Sequence, residues 1–205
     1  MITIRIDVDY AYPSRVKSFV YTLFRIKSKK DYLKYSKMLA CLINQSSQSV
    51  KAYWFFNPCT FPDAEMLELL KSDRHEIGLH VINYPDEELL QLESLVKRKI
   101  HCYTIHGTAR LIGQIVWHRK LGQKQAEIPK DFRLQSFHEF PTYCLDHLCY
   151  RLPETEAIAE IKEWLQKDYF LEVHPEWLTQ RGRINHRGPY LNVLKNLLTS
   201  PSLTT

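Results

Sequence analysis

The chain has 205 residues, and its 28 Lys and Arg against 23 Asp and Glu give a formal net charge of +5 with neutral histidines. Its 44% hydrophobic and 25% charged residues are typical of a folded globular protein and exclude a disordered or collagen-like chain. The length favours one domain over two, so we expect one domain over residues 1–199 and a frayed tail at 200–205. The first residues do not resemble an export signal and no apolar run approaches the ~18 residues of a membrane-spanning helix, so we expect a cytoplasmic protein.

Three short basic clusters occur in the chain, at residues 25–30, 97–99 and 118–120. Each is mixed with helix-forming residues, which is typical of a solvated helix face or helix end; an acidic polymer or anionic sugar as partner is the alternative. We expect no nucleic-acid partner. The 6 glycines form neither GxGxxG nor GxxxxGK[ST], which argues against a phosphate-binding loop. The 5 cysteines contain no CxxC pair, which indicates free thiols rather than a disulfide framework or a cysteine-rich zinc site.

The first half of the chain alternates predicted strands and helices. The strand predictions come from alternating or continuous β-branched and aromatic residues, and the helix predictions from apolar residues that recur along one face. This alternation indicates an α/β fold with a largely parallel sheet. The predicted strands cover 2–8, 51–56, 75–81 and 102–105, and the predicted helices cover 13–46, with a break near 29–31, and begin again at Pro62 and Pro85.

The second half of the chain is less regular. For residues from about 108 to 150, the sequence predicts only one or two short strands, within 131–140. A helix with one apolar face is predicted at 154–167, followed by a last strand at 169–173 and a terminal helix at 189–199.

Polar side chains stand where several predicted strands end. Asp7 and Asp9 close the first strand, and His80, His106 and His174 occupy the same place on later strands. The carboxyl ends of the strands form the edge that holds the active site in parallel α/β folds. We expect a bend at the end of the first strand to bring both carboxylates towards this edge. Zn²⁺, Co²⁺ and related ions accept such mixed His and Asp ligands and keep a position open for water.

Each of these residues alone also has a structural interpretation. An isolated buried histidine is more often a hydrogen-bonded core residue than a ligand, and the aspartates could cap the turn that follows. His75, at an odd spacing from His80, is expected to face away from it. The metal hypothesis therefore depends on convergence: imidazoles of His80 and His106 more than about 8 Å apart would exclude a shared ion, because zinc–nitrogen bonds are only ~2 Å long.

Four motifs carry a resemblance to a known family. The chain resembles the polysaccharide deacetylases (NodB homology domain, carbohydrate esterase family 4), as a divergent short member. The resemblance implies a distorted, incomplete (β/α)7 barrel that binds one divalent metal, with Zn²⁺ favoured and Co²⁺, Ni²⁺ or Mn²⁺ as alternatives. It also implies removal of N-acetyl or O-acetyl groups from a carbohydrate such as a surface-polysaccharide or glycolipid precursor. In chain order, the motifs are Arg5-Ile6-Asp7-Val8-Asp9, His75-Glu76-Ile77-Gly78-Leu79-His80, Ile105-His106-Gly107-Thr108 and Val173-His174-Pro175-Glu176-Trp177.

The resemblance assigns the acid and base roles. The family's first motif has two adjacent aspartates, whereas Val8 separates them here. Asp7 takes the role of general base and Asp9 that of metal ligand, with the exchanged assignment as the alternative. His174 matches the late histidine that acts as general acid, and Trp177 beside it is assigned to substrate binding.

The second motif departs from the family pattern. His80 matches its first histidine, but Tyr84 stands where the second is expected. We take His106 as the third metal ligand, because its strand end should lie beside that of His80, and we assign Tyr84 and His138 to substrate binding. Two alternatives remain open: a metal-dependent amidohydrolase with a non-sugar substrate, and a non-catalytic glycan-binding relative, which Tyr84 favours. The sequence does not indicate an oligomeric state.

Overall fold

The computed structural model describes residues 1–106, 126–179 and 189–199. These residues build an α/β fold in which a seven-stranded, all-parallel sheet curls into a half-barrel. The strands are β1 (Ile2–Val8), β2 (Val50–Phe56), β3 (His75–Val81), β4 (Cys102–Ile105), β5 (Gln135–Ser136), β6 (Thr142–Cys144) and β7 (Phe170–Val173). Their spatial order is β5-β4-β3-β2-β1-β7-β6, so the first strand lies near the middle of the sheet.

Helices connect most of these strands. Among the described residues, no helix is both long and apolar enough to cross a membrane. The helices are α1 (Arg15–Leu23), α2 (Lys34–Asn44), α3 (Ala64–Leu69), α4 (Pro85–Val96), α5 (Leu145–Arg151), α6 (Glu154–Leu165) and α7 (Leu191–Thr199), and two 3₁₀ helices cover Phe137–Glu139 and Pro175–Trp177.

The predicted parallel α/β arrangement is confirmed, including the break between α1 and α2. The prediction of one or two short strands within 131–140 is confirmed by Gln135–Ser136, and the residues that follow, Phe137–Glu139, form a 3₁₀ helix. Thr142–Cys144 and Leu145–Arg151 were not predicted. The strand has only three residues and takes its backbone hydrogen bonds from β7, and the helix is too short for an apolar period to mark it. The expected tail at 200–205 lies outside the described residues.

The two faces of the sheet have different chemistry. The outer face carries the alternating apolar residues, such as Ile4, Ile6 and Trp54, and packs with helical residues into the main core. The inner face carries the intervening residues, because side chains alternate along a strand. It holds Arg5 and Asp7 and a second, smaller cluster centred on buried Phe55, Cys102 and Phe137.

Gly78 makes room for an aromatic ring on the inner face. The register of β2 and β3 places Phe55 opposite Gly78. A Cβ atom added at Gly78 would lie 2.5 Å from the Phe55 ring, far inside van der Waals contact. The glycine of the His75–His80 motif therefore allows the fully buried Phe55 ring to lie across the neighbouring strand.

The turn after β2 fixes the carboxyl end of β1. The carbonyl oxygen of Val8 accepts a hydrogen bond from Asn57 Nδ2 at 3.1 Å and another from Thr60 Oγ1 at 2.7 Å. Both side chains are fully buried. Because Val8 immediately precedes Asp9, this turn sets the position of the Asp9 backbone.

Candidate metal centre

Asp9, His80 and His106 converge at the carboxyl edge of the sheet. His80 is the penultimate residue of β3, while Asp9 and His106 directly follow the ends of β1 and β4. His80 Nε2 lies 2.8 Å from His106 Nδ1, and each of these nitrogens lies 3.2 Å from Asp9 Oδ1. The two ring centroids are 4.9 Å apart, well inside the limit of about 8 Å set by the sequence analysis. We call these three residues the metal tripod.

The metal tripod fits a divalent ion. Ligands about 2.0–2.1 Å from Zn²⁺ in tetrahedral geometry lie about 3.3 Å from one another. The observed separations of 2.8–3.2 Å are close to this value. Asp9 Oδ1 is buried and, despite two nearby ring nitrogens, has no hydrogen bond of acceptable geometry. The two ring nitrogens are within hydrogen-bond distance of each other, and without a proton between them the three donor atoms could hold a metal ion.

Charge and hydrogen bonding at the metal tripod favour the binding of a cation. Burial opposes ionisation of Asp9, but the neighbouring His106 and His80 hold its pKa well below the usual range. His80 Nδ1 lies 2.6 Å from Oγ1 of the fully buried Thr104, its register partner on β4. When Nδ1 donates to this hydroxyl, Nε2 presents its lone pair to a metal. No pattern in the sequence marks Thr104.

Asp7 and Arg5 form a buried ion pair next to the metal tripod. Arg5 Nε donates to Asp7 Oδ1 at 3.1 Å, and Arg5 Nη2 donates to Oδ2 at 2.5 Å. Burial would raise the pKa of Asp7, but the Arg5 guanidinium keeps it below its ordinary value. The expected bend in β1 is unnecessary, because side chains two residues apart on a strand share a face. Arg5 is a charged residue between the apolar Ile4 and Ile6. This charge within an apolar strand is the signal in the sequence that could have identified Arg5.

His174 is held by a buried carboxylate. Its Nδ1 lies 2.7 Å from Oδ2 of Asp146, a fully buried residue at the start of α5. Burial alone would lower the pKa of His174, but the charge and hydrogen bond of Asp146 raise it well above the ordinary value. Asp146 therefore favours the cationic form of the imidazole, which is the form that can donate a proton. No sequence pattern marks Asp146, because its element was not predicted.

The acid and base candidates lie close together. One ligand atom each from Asp7, Glu172 and His174 lies within 4.8 Å of the other two. Glu172 lies 3.8 Å from Arg5 Nη1 and 3.8 Å from His174 Nε2, so it faces both partners. The register explains this proximity, because Glu172 on β7 pairs with Arg5 on β1 and His174 follows two residues later.

Glu176 adds a second unusual carboxyl group. Its side chain is buried, and neither oxygen has a hydrogen-bond partner among the described residues. Burial and the negative charge of Asp9 raise its pKa well above the ordinary value. Glu176 belongs to the motif at 173–177, but no pattern in the sequence assigns it a role.

The residues assigned to substrate binding lie in different environments. Trp177 is 7% exposed and belongs to the main core. Tyr84 is 56% exposed immediately before α4, outside the metal tripod. His138 lies in the 3₁₀ helix near the end of β4, where its Nε2 accepts a hydrogen bond from the backbone N–H of Ile105 at 2.7 Å. Burial and the charge of nearby Arg5 lower the pKa of His138. These three assignments stay predictions.

Some quoted motif residues lie outside the described part of the chain. They are Gly107 and Thr108 of the third motif and the basic cluster at 118–120.

The comparisons with known proteins add no relative. No protein-family model matches this chain, and no curated protein matches it. The likeness to the polysaccharide deacetylases therefore depends on the four motifs, and the chemistry of the site depends on the side chains described above.

Proposed function

We propose that this protein is a metal-dependent hydrolase that removes N-acetyl groups, or O-acetyl groups, from a carbohydrate. The half-barrel then corresponds to the incomplete (β/α)7 barrel of the polysaccharide deacetylases. One observation carries the proposal: three donor atoms of Asp9, His80 and His106 lie 2.8–3.2 Å apart, beside a carboxylate and an imidazolium that can exchange protons.

The charge balance of the site supports a divalent cation. Arg5 and protonated His174 are the two cations of the buried cluster. They lie among four carboxylates, Asp7, Asp9, Asp146 and Glu172, so carboxylates outnumber these two cations. A buried excess charge is costly unless it is paired or coordinates a metal. One divalent ion on the metal tripod would offset this excess.

Asp9, His80 and His106 would hold this ion. Their imidazole and carboxylate donors suit Zn²⁺ best and also accept Co²⁺, Ni²⁺ or Mn²⁺. When bound, such an ion supplies Lewis acidity to an amide carbonyl and lowers the pKa of water towards ~7.

Two side chains would move the protons of the hydrolysis. Ionised Asp7 accepts a proton from the attacking water, while Arg5 holds its carboxylate in one orientation. Cationic His174 donates a proton to the leaving amine, which restores a neutral product, and Asp146 holds the donating ring. A positioned general acid or base contributes roughly 10²–10⁴-fold to the rate. His138 and Tyr84 at the rim, with Trp177 as support, would contact the sugar.

Metal content and acetate release test the proposal together. We expect about one Zn²⁺ per chain after dialysis against zinc and release of acetate from some members of a panel of N-acetylated glycans. His80→Ala should lose both the metal and the activity. His101→Ala is the matched control, because His101 is exposed just before β4, the strand that pairs with β3, and the variant should keep both.

The same assays separate the alternatives. Asp7→Asn should keep the metal and lose roughly 10²–10⁴-fold in rate. A rate untouched by Asp7→Asn would overturn the base assignment. Absence of metal under saturating zinc would favour a non-catalytic glycan-binding protein, and metal-dependent cleavage of non-sugar amides alone would favour an amidohydrolase of another specificity.

A further inference from the structure

The chain between β1 and α2 makes an excursion that is anchored beside the metal tripod. The backbone N–H of Leu33 donates to the carbonyl oxygen of Ala11 at 2.6 Å and closes the excursion. Inside it, the Tyr12 hydroxyl donates to the carbonyl oxygen of Ile26 at 2.6 Å. Because Ala11 lies two residues after Asp9, the excursion is fixed to the edge of the sheet that carries the candidate site.

The helix of this excursion turns apolar side chains to solvent. Val16, Val20, Leu23 and Phe24 follow the spacing i, i+4, i+7 and i+8, which places them on one face of α1 and its end. Val16 is 74% exposed and Phe24 is 66% exposed, and Ile26 just beyond is 46% exposed. A helix on the surface of a water-soluble protein normally presents polar residues on this face, so the reversed pattern indicates an interaction surface.

A run of cations borders this apolar face. Four of the six residues 25–30 are Arg or Lys, and no acidic residue interrupts the run. Arg25, Lys27, Lys29 and Lys30 are all exposed. The sequence predicts a solvated helix face or helix end for residues 25–30, and these residues do follow the end of α1.

We propose that these two features form a docking surface for the face of a bilayer that contains anionic lipids. The docking surface consists of Val16, Leu23, Phe24 and Ile26 together with the four cations at 25–30. Exposed apolar side chains enter the boundary between headgroups and acyl chains, while nearby Lys and Arg stay among the lipid phosphates. A dissolved acidic polymer would use the cations and leave the apolar face in water, so the combination favours a membrane surface.

The docking surface also narrows the substrate class, a step that rests on the proposed function. When the docking surface lies on a bilayer, the metal tripod stays near that bilayer. The substrates that it reaches most often are then those held in the bilayer. The substrate class is then a saccharide linked to a lipid rather than a free oligosaccharide. Vesicle binding itself requires no catalytic activity, so the docking surface can be tested even where the hydrolase proposal fails.

A second exposed apolar position provides a matched control. Leu90 on α4 is 66% exposed, the same as Phe24. It lies one helical turn from Asp86 and Glu87, which are acidic and exposed. An anionic bilayer would repel this neighbourhood, so Leu90 should not contribute to docking.

Co-sedimentation of the full chain with vesicles tests the proposal. We expect binding to vesicles of phosphatidylcholine with phosphatidylglycerol, weaker binding to phosphatidylcholine alone, and release at high salt. Phe24→Ser with Ile26→Ser, and separately Lys27→Glu with Lys29→Glu and Lys30→Glu, should each weaken binding by about tenfold or more. Leu90→Ser should bind as the unchanged protein does, and thermal unfolding checks that every variant is folded.

Three outcomes would overturn the docking surface. The first is a failure of the unchanged protein to bind vesicles with phosphatidylglycerol. The second is undiminished binding by the Phe24→Ser and Ile26→Ser protein, especially with retention on heparin, which would indicate a soluble polyanion. The third is a dimer in solution that this variant dissociates, which would assign the apolar face to a second copy of the chain.

Discussion

Single residues in this site act in pairs that set their protonation. Arg5 favours the ionised form of Asp7 through two hydrogen bonds, and Asp146 favours the cationic form of His174 through one. A carboxylate and an imidazolium are the forms that accept and donate protons, so each partner keeps its neighbour in the form that the proposed hydrolysis needs. These pairs are buried, where charge interactions are screened less than at the surface.

The Asp146–His174 pair gives a prediction about one ionisation. Asp146→Asn removes the negative charge that raises the His174 pKa, so we expect the imidazole to lose its proton at a lower pH than in the unchanged protein. A pH titration of the histidine ring resonances by NMR measures this shift. The rate of acetate release should fall by roughly 10²-fold at neutral pH, because less of the acid form remains.

Asp131→Asn serves as the control for this substitution. Asp131 is exposed and lies in the segment before β5, so its removal should leave both readouts unchanged. A His174 that titrates at the same pH in the Asp146→Asn protein would show that the pair does not control the acid.

Each strand of the sheet places its side chains in two environments. Its outer side chains pack under helices, and its inner side chains either fill the half-barrel or carry the polar site. Phe55 shows the division on β2, because its neighbours Trp54 and Phe56 belong to the main core while Phe55 belongs to the inner cluster. The continuous apolar run of this strand is thus explained by burial on both faces.

The contact between Phe55 on β2 and Gly78 on β3 predicts that substitutions at these two positions have coupled effects on stability. Gly78→Ala should lower the free energy of unfolding by about 1–3 kcal/mol, because the new methyl group overlaps the Phe55 ring and forces repacking. In a Phe55→Leu background the cost of Gly78→Ala should be smaller, since the side chain that it meets is smaller. Urea unfolding of the four proteins measures this coupling.

Equal costs of Gly78→Ala in both backgrounds would contradict the steric explanation. The backbone would then be responsible rather than the ring. The backbone atom concerned is the carbonyl oxygen of Cys102 on β4, which would lie 3.0 Å from the new methyl group.

For the whole molecule, stability depends on groups far from the candidate site. His75 lies at the amino end of β3, on the outer face. Its Nδ1 accepts a hydrogen bond from Trp54 Nε1 at 3.0 Å, and its Nε2 lies 3.0 Å from Asn44 Oδ1. A neutral ring satisfies both partners, whereas a proton on Nδ1 would meet the indole N–H. Burial, with the nearby charges of Arg74 and Lys51, lowers the pKa of His75 to about 4.

The lowered pKa of His75 predicts that the folded protein loses stability in mild acid. The unfolded chain takes up a proton at His75 near its ordinary pKa of 6.5, while the folded chain resists until pH about 4. The unfolding free energy should therefore fall as the pH drops from 6.5 to 4, with His75 contributing up to about 3 kcal/mol of the loss. Urea unfolding across this pH range, for the unchanged protein and for His75→Gln, isolates the contribution as a difference.

His101→Gln is the control, because His101 is exposed and its loss should leave the pH dependence unchanged. Parallel stability curves for the unchanged protein and His75→Gln would show that His75 is protonated in the folded state after all.

Local patterns in the sequence were enough to predict the parallel α/β plan, the strands β1 to β4 and the helices between them, because these elements carry their hydrophobic period within a few turns or residues. They also predicted that Asp9, His80 and His106 stand at strand ends, which parallel pairing brings to one edge.

The partners that complete the site come from contacts between segments that are distant in the chain. Arg5 faces Asp7 within one strand, but Asp146 reaches His174 from an element 28 residues away, and the Thr104 hydroxyl reaches His80 through the pairing of β3 and β4. Hydrogen bonds between distant segments leave no periodic signal in the chain, since they depend on register, burial and curvature of the whole sheet. The same holds for the exposed face of α1, because an apolar stripe looks alike in sequence whether it meets a core or solvent.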